Sequence, residues 1–117
     1  MPNSPSLKLL VLKTDAVERL RDFYARLGFE FIEEQHSNGP RHWSAPVGDG
    51  ILEVYPLPED GSVDATTRLG FGVSDVKEVV ESVRQLAEVV SEPKQTQWGL
   101  RAVVRDPDGR AVELYEL

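Results

Sequence analysis

Charged residues occupy matching places in the two halves of this chain, 60 positions apart. Glu53 matches Glu113, and Lys8 matches Arg68, each next to apolar residues. In a strand, each glutamate would point to the face opposite its apolar neighbours. Repeated carboxylates could bind a cation or accept a proton, whereas repeated cations could anchor an acidic group. The sequence therefore predicts a polar site that is built twice, once in each half.

Several other side chains are candidates for the same site. His42 is a candidate general base or substitute metal ligand if it shares a face with Glu53 on the neighbouring strand. The strand register decides this: pairing of residue 42 with Tyr55 brings His42 beside Glu53, whereas a one-residue shift brings Trp43 there instead. Trp43, Tyr55 and Trp98 are either stacking walls of a cavity or ordinary core residues.

Composition excludes several kinds of chemistry. The 117 residues include no Cys, which excludes disulfides, thiolate nucleophiles and Cys-ligated metals. A net charge of −7 disfavours nucleic acid and anionic membranes as partners. The chain has neither a Gly-x-Ser-x-Gly elbow nor a Gly-rich phosphate loop. It also has no signal-like start and no apolar run near the roughly 20 residues of a membrane span, so we expect a soluble, cytoplasmic protein.

The halves share one order of elements, β-α-β-β-β. Alternating apolar residues over 7–12 predict a strand, and apolar spacings of three and one predict a helix from 17 to 27, ended by Gly28. Further strands are predicted at 29–34, 42–47 and 51–55, with His36 in a solvated loop. The second half repeats this with a strand at 69–73, a helix over 76–86 and strands at 87–91, 100–105 and 111–115.

We expect one domain over residues 1–117, with modules at about 7–57 and 66–116 and a linker at about 58–65. One helix and four strands cannot bury both faces of a sheet, so the modules should pair. The predicted fold class is α+β: two β-α-β-β-β modules form a cupped eight-stranded mixed sheet with the helices outside. Alternate residues of each strand would line the concave face.

Two segments point to a known family. The first helix ends in Phe-Tyr-Ala-Arg-Leu-Gly-Phe at 23–29, and Asp-Pro-Asp-Gly at 106–109 precedes the last strand. Together they resemble the vicinal oxygen chelate superfamily, which includes glyoxalase I, extradiol dioxygenases and bleomycin-resistance proteins, over about residues 7–116. The resemblance implies a divalent metal held by the first and last strands of both modules, at positions that correspond here to Lys8, Glu53, Arg68 and Glu113.

Two of these four positions hold side chains that are unsuited to metal. Neither Lys8 nor Arg68 offers a lone pair at neutral pH, and each would repel a cation at about 4 Å by about 4 kcal/mol at an effective dielectric near 20. We therefore expect no metal cofactor at these positions, and ion pairs Lys8–Glu53 and Arg68–Glu113 instead. Arg68 is the better ligand anchor because its planar fork could hold a carboxylate or phosphate while it shares Glu113.

Three functions stay open, and whether the protein is an enzyme is one of the open points. The first is a binding protein that holds a small organic ligand in the cup, as bleomycin-resistance proteins do, with Arg68 or Lys8 as anchors. The second is a lyase, isomerase or dioxygenase that uses Zn, Ni, Mn or Fe on Glu53, Glu113 and a recruited His42, or a carboxylate base without metal. The third is a structural or protein-interaction role. The resemblance also implies a homodimer, with the cup built within one chain or across two.

Overall fold

Each half of the chain folds as a β-α-β-β-β module in the computed structural model, which describes residues 3–117. The first module contains β1 (Leu9–Thr14), α1 (Val17–Leu27), β2 (Ile32–Glu34), β3 (His42–Val47) and β4 (Gly50–Pro56). The second contains β5 (Leu69–Val73), α2 (Val76–Val83), β6 (Val89–Thr96), β7 (Gly99–Arg105) and β8 (Ala111–Glu116). The predicted α+β class with eight strands is confirmed.

The strands form two four-stranded sheets, which we call the first and second sheets. Their orders are β1-β4-β3-β2 and β5-β8-β7-β6, with the first strand of each module parallel to its last strand. The single eight-stranded sheet that we expected is therefore divided in two, because hydrogen bonding stays within each module.

Capping residues explain where α1 ends and where α2 begins. α1 buries Leu20, Phe23, Tyr24 and Leu27 on one face and ends at Gly28, whose φ of +117° is a left-handed conformation that suits glycine. α2 begins after Asp75, whose carboxylate accepts a hydrogen bond from the Glu78 backbone N–H. It ends at Val83, shorter than predicted. Neither helix within residues 3–117 is long and apolar enough to cross a membrane.

The two helices join the modules at a shared core. α1 contacts α2, and the Phe71 ring of β5 meets the rings of Tyr24 and Phe29 edge-on at 6.1 and 5.1 Å. Leu52, Val54, Val112 and Leu114 point into this core from the last strands. Because side chains alternate along a strand, the residues between them point to the other side of each sheet, which we call its open face.

Candidate functional site

Glu113 is the centre of a polar cluster on the open face of the second sheet. It accepts hydrogen bonds from Arg68 Nη2, from Arg101 Nη2 at 2.8 Å and from the Tyr115 hydroxyl at 2.6 Å. The Tyr115 and Arg101 hydrogen bonds, together with that of Arg68, lower the pKa of Glu113 to about 2 although burial opposes the shift. The predicted Arg68–Glu113 ion pair is confirmed.

Sequence reasoning missed two members of this cluster. Arg101 and Tyr115 lie opposite each other in the β7–β8 pair, and both share a face with Glu113. The hydrogen bond to Glu113 in turn raises the pKa of Arg101. Alternation along the last strand could have identified Tyr115, two residues from Glu113, whereas Arg101 becomes visible only once the β7–β8 register is known.

The predicted Lys8–Glu53 ion pair is wrong. Lys8 Nζ instead contacts Asp49 Oδ2 at 3.0 Å, and both side chains are exposed. Val11 lies opposite Glu53, so the residue two positions earlier on the same face is Leu9, not Lys8.

The second module shows why the correspondence fails. Gly70 lies opposite Glu113, so the residue two positions earlier on that face is Arg68. The register of β1 against β4 is therefore shifted by one residue from that of β5 against β8. As a result, Leu9 lies at the position that Arg68 has in the second sheet. The 60-residue match therefore holds for the glutamates and fails for the first strands.

His42 lies on the open face of the first sheet. Ser44 pairs with Glu53 in the β3–β4 register. Of the two registers considered from the sequence, this is the one that places His42 on the same face as Glu53. The His42 ring stacks on Tyr55 with centroids 4.0 Å apart, and its Nε2 is 3.6 Å from Glu53 Oε2. Burial and the charges of Glu53 and Glu34 raise the pKa of Tyr55. His42, Tyr55 and Glu53 are thus brought together.

The two tryptophans lie elsewhere. Trp43 points to the helix side of the first sheet, packs against the core and carries the Arg21 guanidinium 4.5 Å from its ring centroid. It therefore does not line the open face, and its assignment as a ligand-binding wall is corrected by the β3–β4 register. Trp98 is 70% exposed in the turn between β6 and β7. It is not part of the core, and its position is that of a surface residue at the edge of the second sheet.

Glu34 and His36 extend the His42 cluster. Glu34 Oε1 lies 3.3 Å from His42 Nε2 and 3.8 Å from His36 Nε2. His36 is exposed, as expected for its loop, but its ring centroid is only 5.1 Å from that of His42. Sequence reasoning did not single out Glu34, although its place opposite His42 across a short hairpin was an available signal.

The four positions implied by the resemblance do not fit a divalent metal. Arg68 and Arg101 both form ion pairs with Glu113. A metal ion at this carboxylate would be repelled by both guanidinium groups and would have to displace them. In the first module the register places Leu9, which has no ligand atom, where Lys8 was expected. Only Glu53 offers an uncommitted carboxylate at these positions, so we derive no chemical step through a metal held there.

The two motifs that carry the resemblance meet in a buried polar network away from the open faces. The Arg110 side chain, 2% exposed, donates to Asp106 and Asp108 at 3.1 and 3.0 Å. The Tyr24 hydroxyl donates at 2.8 Å to Asp106 Oδ2, the same oxygen that accepts from Arg110. Burial and Asp106 raise the pKa of Tyr24 well above its usual value. These motifs therefore join the modules and do not line the candidate site.

Two surface cavities lie beside the polar clusters. One of about 320 Å³ follows β1 and the inter-module linker, and one of about 500 Å³ lies between Gly28, Phe71 and the chain end. Neither is lined by Glu53 or Glu113.

A family model and several solved structures match nearly the whole chain. A family model described as Glyoxalase/Bleomycin resistance protein/Dioxygenase superfamily matches residues 6–114. The structure of TnmS3, an antibiotic binding protein from Streptomyces sp. CB03234, superimposes with a TM-score of 0.73 at 24% identity, covering 97% of both chains. TioX from Micromonospora sp. ML1 gives a TM-score of 0.68 at 25% identity, covering 94% of this chain and 97% of that one.

A curated relative is much longer. CD-NTase-associated protein 12 from Lachnospiraceae bacterium (strain RUG226) is 36% identical over 78 residues, or 58% of this chain. The match spans only 25% of that protein. The similarity therefore concerns one part of a larger molecule.

Proposed function

The chain belongs to the Glyoxalase/Bleomycin resistance protein/Dioxygenase superfamily, and on that premise we propose that it binds a small organic molecule on the open faces of its sheets, without metal at the four family positions. The observation that carries this proposal is the Glu113 cluster. Two guanidinium groups neutralise the carboxylate that a metal would need, and one of them stays open to solvent.

Arg68 is the proposed anchor for an acidic group of the ligand. Its side chain is 68% exposed, and only Nη2 is engaged by Glu113. A guanidinium has five N–H donors in a planar fork, which suits a carboxylate, phosphate or phenolate. Glu113 would hold that fork in position because it is itself fixed by Arg101 and Tyr115.

The first sheet offers a surface of different chemistry. Its open face carries the stacked pair of His42 and Tyr55 together with exposed Leu9 and Ile51. Flat and apolar groups stack on such surfaces. A planar aromatic molecule with one acidic group therefore suits the two faces together, and the antibiotic-binding function of TnmS3 supports a ligand of this general kind.

We further propose that two copies of the chain form a homodimer in which an open face of one protomer covers that of its partner. Leu9, Ile32 and Ile51 are exposed on the open face of the first sheet, in a molecule of only 47 × 39 × 23 Å. Apolar side chains grouped on one face favour association. A cup built across two chains would enclose the ligand between the two open faces.

The test is ligand binding by EDTA-treated protein, measured by isothermal titration calorimetry. We expect bleomycin or an anthraquinone carboxylate to bind without added metal, and Arg68→Gln to weaken binding about tenfold or more, the value of a charge-assisted hydrogen bond of roughly 1.5–3 kcal/mol. Arg19→Gln removes the same charge from the exposed side of α1 and should leave affinity unchanged. Equal affinity of the two variants would contradict the proposal.

A metal-dependent lyase, isomerase or dioxygenase is the second candidate. The observation in its favour is the approach of His42 Nε2 to Glu53 Oε2 at 3.6 Å, an imidazole and a carboxylate on one face. Metal analysis of Glu53→Gln separates the candidates: stoichiometric Zn, Ni, Mn or Fe that the parent holds and this variant loses would support the enzyme, whereas metal that the variant keeps would count against it.

A further inference from the structure

The hairpin of β2 and β3 brings three possible metal ligands to one edge of the first sheet. Glu34, the last residue of β2, lies directly opposite His42, the first residue of β3. Between them, Gly39 N–H donates to His36 O at 2.9 Å, which turns the chain back. This loop places His36 over the strand ends, so one carboxylate oxygen and two imidazole nitrogens lie within 4.8 Å of one another.

The buried His42 has a nitrogen with no hydrogen-bond partner. Its side chain is 1% exposed, and its Nδ1 is 3.3 Å from the carbonyl oxygen of Pro40, which can only accept. A proton on Nδ1 donates to this carbonyl, and in that neutral tautomer Nε2 presents a lone pair. Nε2 is buried without a hydrogen-bond partner and lies 3.3 Å from Glu34 Oε1 and 3.6 Å from Glu53 Oε2.

A lone pair beside two carboxylates is satisfied by a cation between them, which is either a proton or a metal ion. Burying an unpaired imidazole nitrogen next to acceptors is costly, and neither carboxylate can donate. We propose that Glu34, His36 and His42 bind a Zn²⁺-like divalent transition-metal ion. The proposal does not rest on the ligand-binding function above.

The dimensions of the cluster suit such an ion. Ligand atoms at about 2.0–2.1 Å in a tetrahedral site lie about 3.3 Å apart. Glu34 Oε1 and His42 Nε2 are 3.3 Å apart, whereas Glu34 Oε1 and His36 Nε2 are 3.8 Å apart. The exposed ring of His36 can turn to close the difference. Two imidazoles and one carboxylate with an open fourth position form a donor set used in zinc sites.

The surroundings meet the other needs of a metal site. Pro40 O orients the His42 ring through Nδ1, as carbonyl oxygens commonly do for metal-bound histidine. Glu53 adds a second negative charge 3.6 Å from Nε2. Glu34 and His36 are accessible from solvent, which leaves a path for the ion. This site differs from the four positions implied by the family resemblance, since none of its three ligands is among them.

The experiment uses the full chain without an affinity tag, stripped with EDTA and titrated with ZnCl₂ by calorimetry. We expect one Zn²⁺ per chain. Because the chain has only two histidines, ¹⁵N-resolved NMR of the imidazoles can follow both directly. On adding Zn²⁺, the Nε2 signal of His42 and the signals of His36 should shift together at the same stoichiometry.

Matched variants identify the ligands. His36→Ala and Glu34→Gln alter exposed or half-exposed side chains and should each weaken Zn²⁺ binding at least tenfold. Glu33→Gln removes an adjacent carboxylate that pairs with Arg41 and should change affinity less than twofold. The proposal is overturned if Zn²⁺ does not bind, if His42 Nε2 carries a proton donated to Glu34 in the presence of Zn²⁺, or if Glu33→Gln and Glu34→Gln behave alike.

Discussion

At the scale of single residues, the two matching glutamates of the internal repeat have different surroundings. Glu113 accepts hydrogen bonds from two arginines and a tyrosine, whereas Glu53 lies beside the imidazole of His42. Glu113 is therefore held in a hydrogen-bonded cluster, whereas Glu53 is available to a ligand or to His42. Identical residue types at matching positions thus have different chemical roles.

The Glu113 cluster should make stability depend on pH in the acid range. Its folded-state pKa of about 2 lies below the ordinary value of 4.5, so the stabilisation is fully present above pH 4.5 and is lost as pH falls towards 2. Urea unfolding of the protein and of Glu113→Gln should therefore differ at pH 6 and converge near pH 2.

NMR titration of the Glu113 carboxyl carbon provides a direct check. The midpoint should lie near 2 and should rise in Tyr115→Phe, which removes the hydrogen bond that lowers this pKa most. A midpoint at the ordinary value of 4.5 would show that the cluster does not hold in solution.

At the scale of elements, the loop between β7 and β8 joins the modules. Arg110 donates to Asp106 and Asp108 within this loop and to Lys13 O of β1 at 3.2 Å, while Tyr24 of α1 reaches Asp106. One buried guanidinium thus links a strand of the first module to a loop of the second. These contacts between the modules stabilise the fold only while the buried charges remain paired.

We expect Arg110→Met to destabilise the protein by about 3–5 kcal/mol, because two buried carboxylates lose their cation. Urea denaturation followed by circular dichroism measures the loss. Arg105→Met removes a half-exposed arginine from the same strand pair and should cost less than about 1 kcal/mol.

If Arg110→Met does not fold, Tyr24→Phe tests the same contacts more gently, with an expected loss of about 1–3 kcal/mol. A Tyr24→Phe protein as stable as the parent would contradict a buried network between the modules.

At the scale of the whole molecule, the open faces lead to a prediction about assembly. We expect a mass of about twice 13.1 kDa by size-exclusion chromatography with light scattering. Ile51→Glu places a charge on the apolar open face and should shift the mass to that of one chain, because an unpaired charge is costly to bury in an interface.

Leu86→Glu is the matched control, since Leu86 is 38% exposed and Ile51 44% exposed, but Leu86 follows α2 and is outside the open face. It should leave the dimer intact. A single-chain mass for the parent protein, or a dimer that survives Ile51→Glu, would refute association through this face.

Much of the fold and part of the site follow from local sequence. The repeat of element order, the apolar face of α1 and its end at Gly28 depend on neighbouring residues, and each was predictable. The Arg68–Glu113 pair was also predictable. The misassigned Lys8 shows the limit, since a one-residue difference in how β1 and β5 enter their sheets leaves no local mark.

What the sequence determined by itself was which side chains alternate within a strand and repeat between modules, because backbone geometry gives a strand a period of two wherever it lies. What the tertiary structure alone decided was which strands meet and at which residue. That register turned His42 to the open face and Trp43 to the core, and the loop conformation brought His36 back to Glu34. The reason is physical: register and loop closure depend on the packing of segments that are distant in the chain, and a one-residue shift reverses every face.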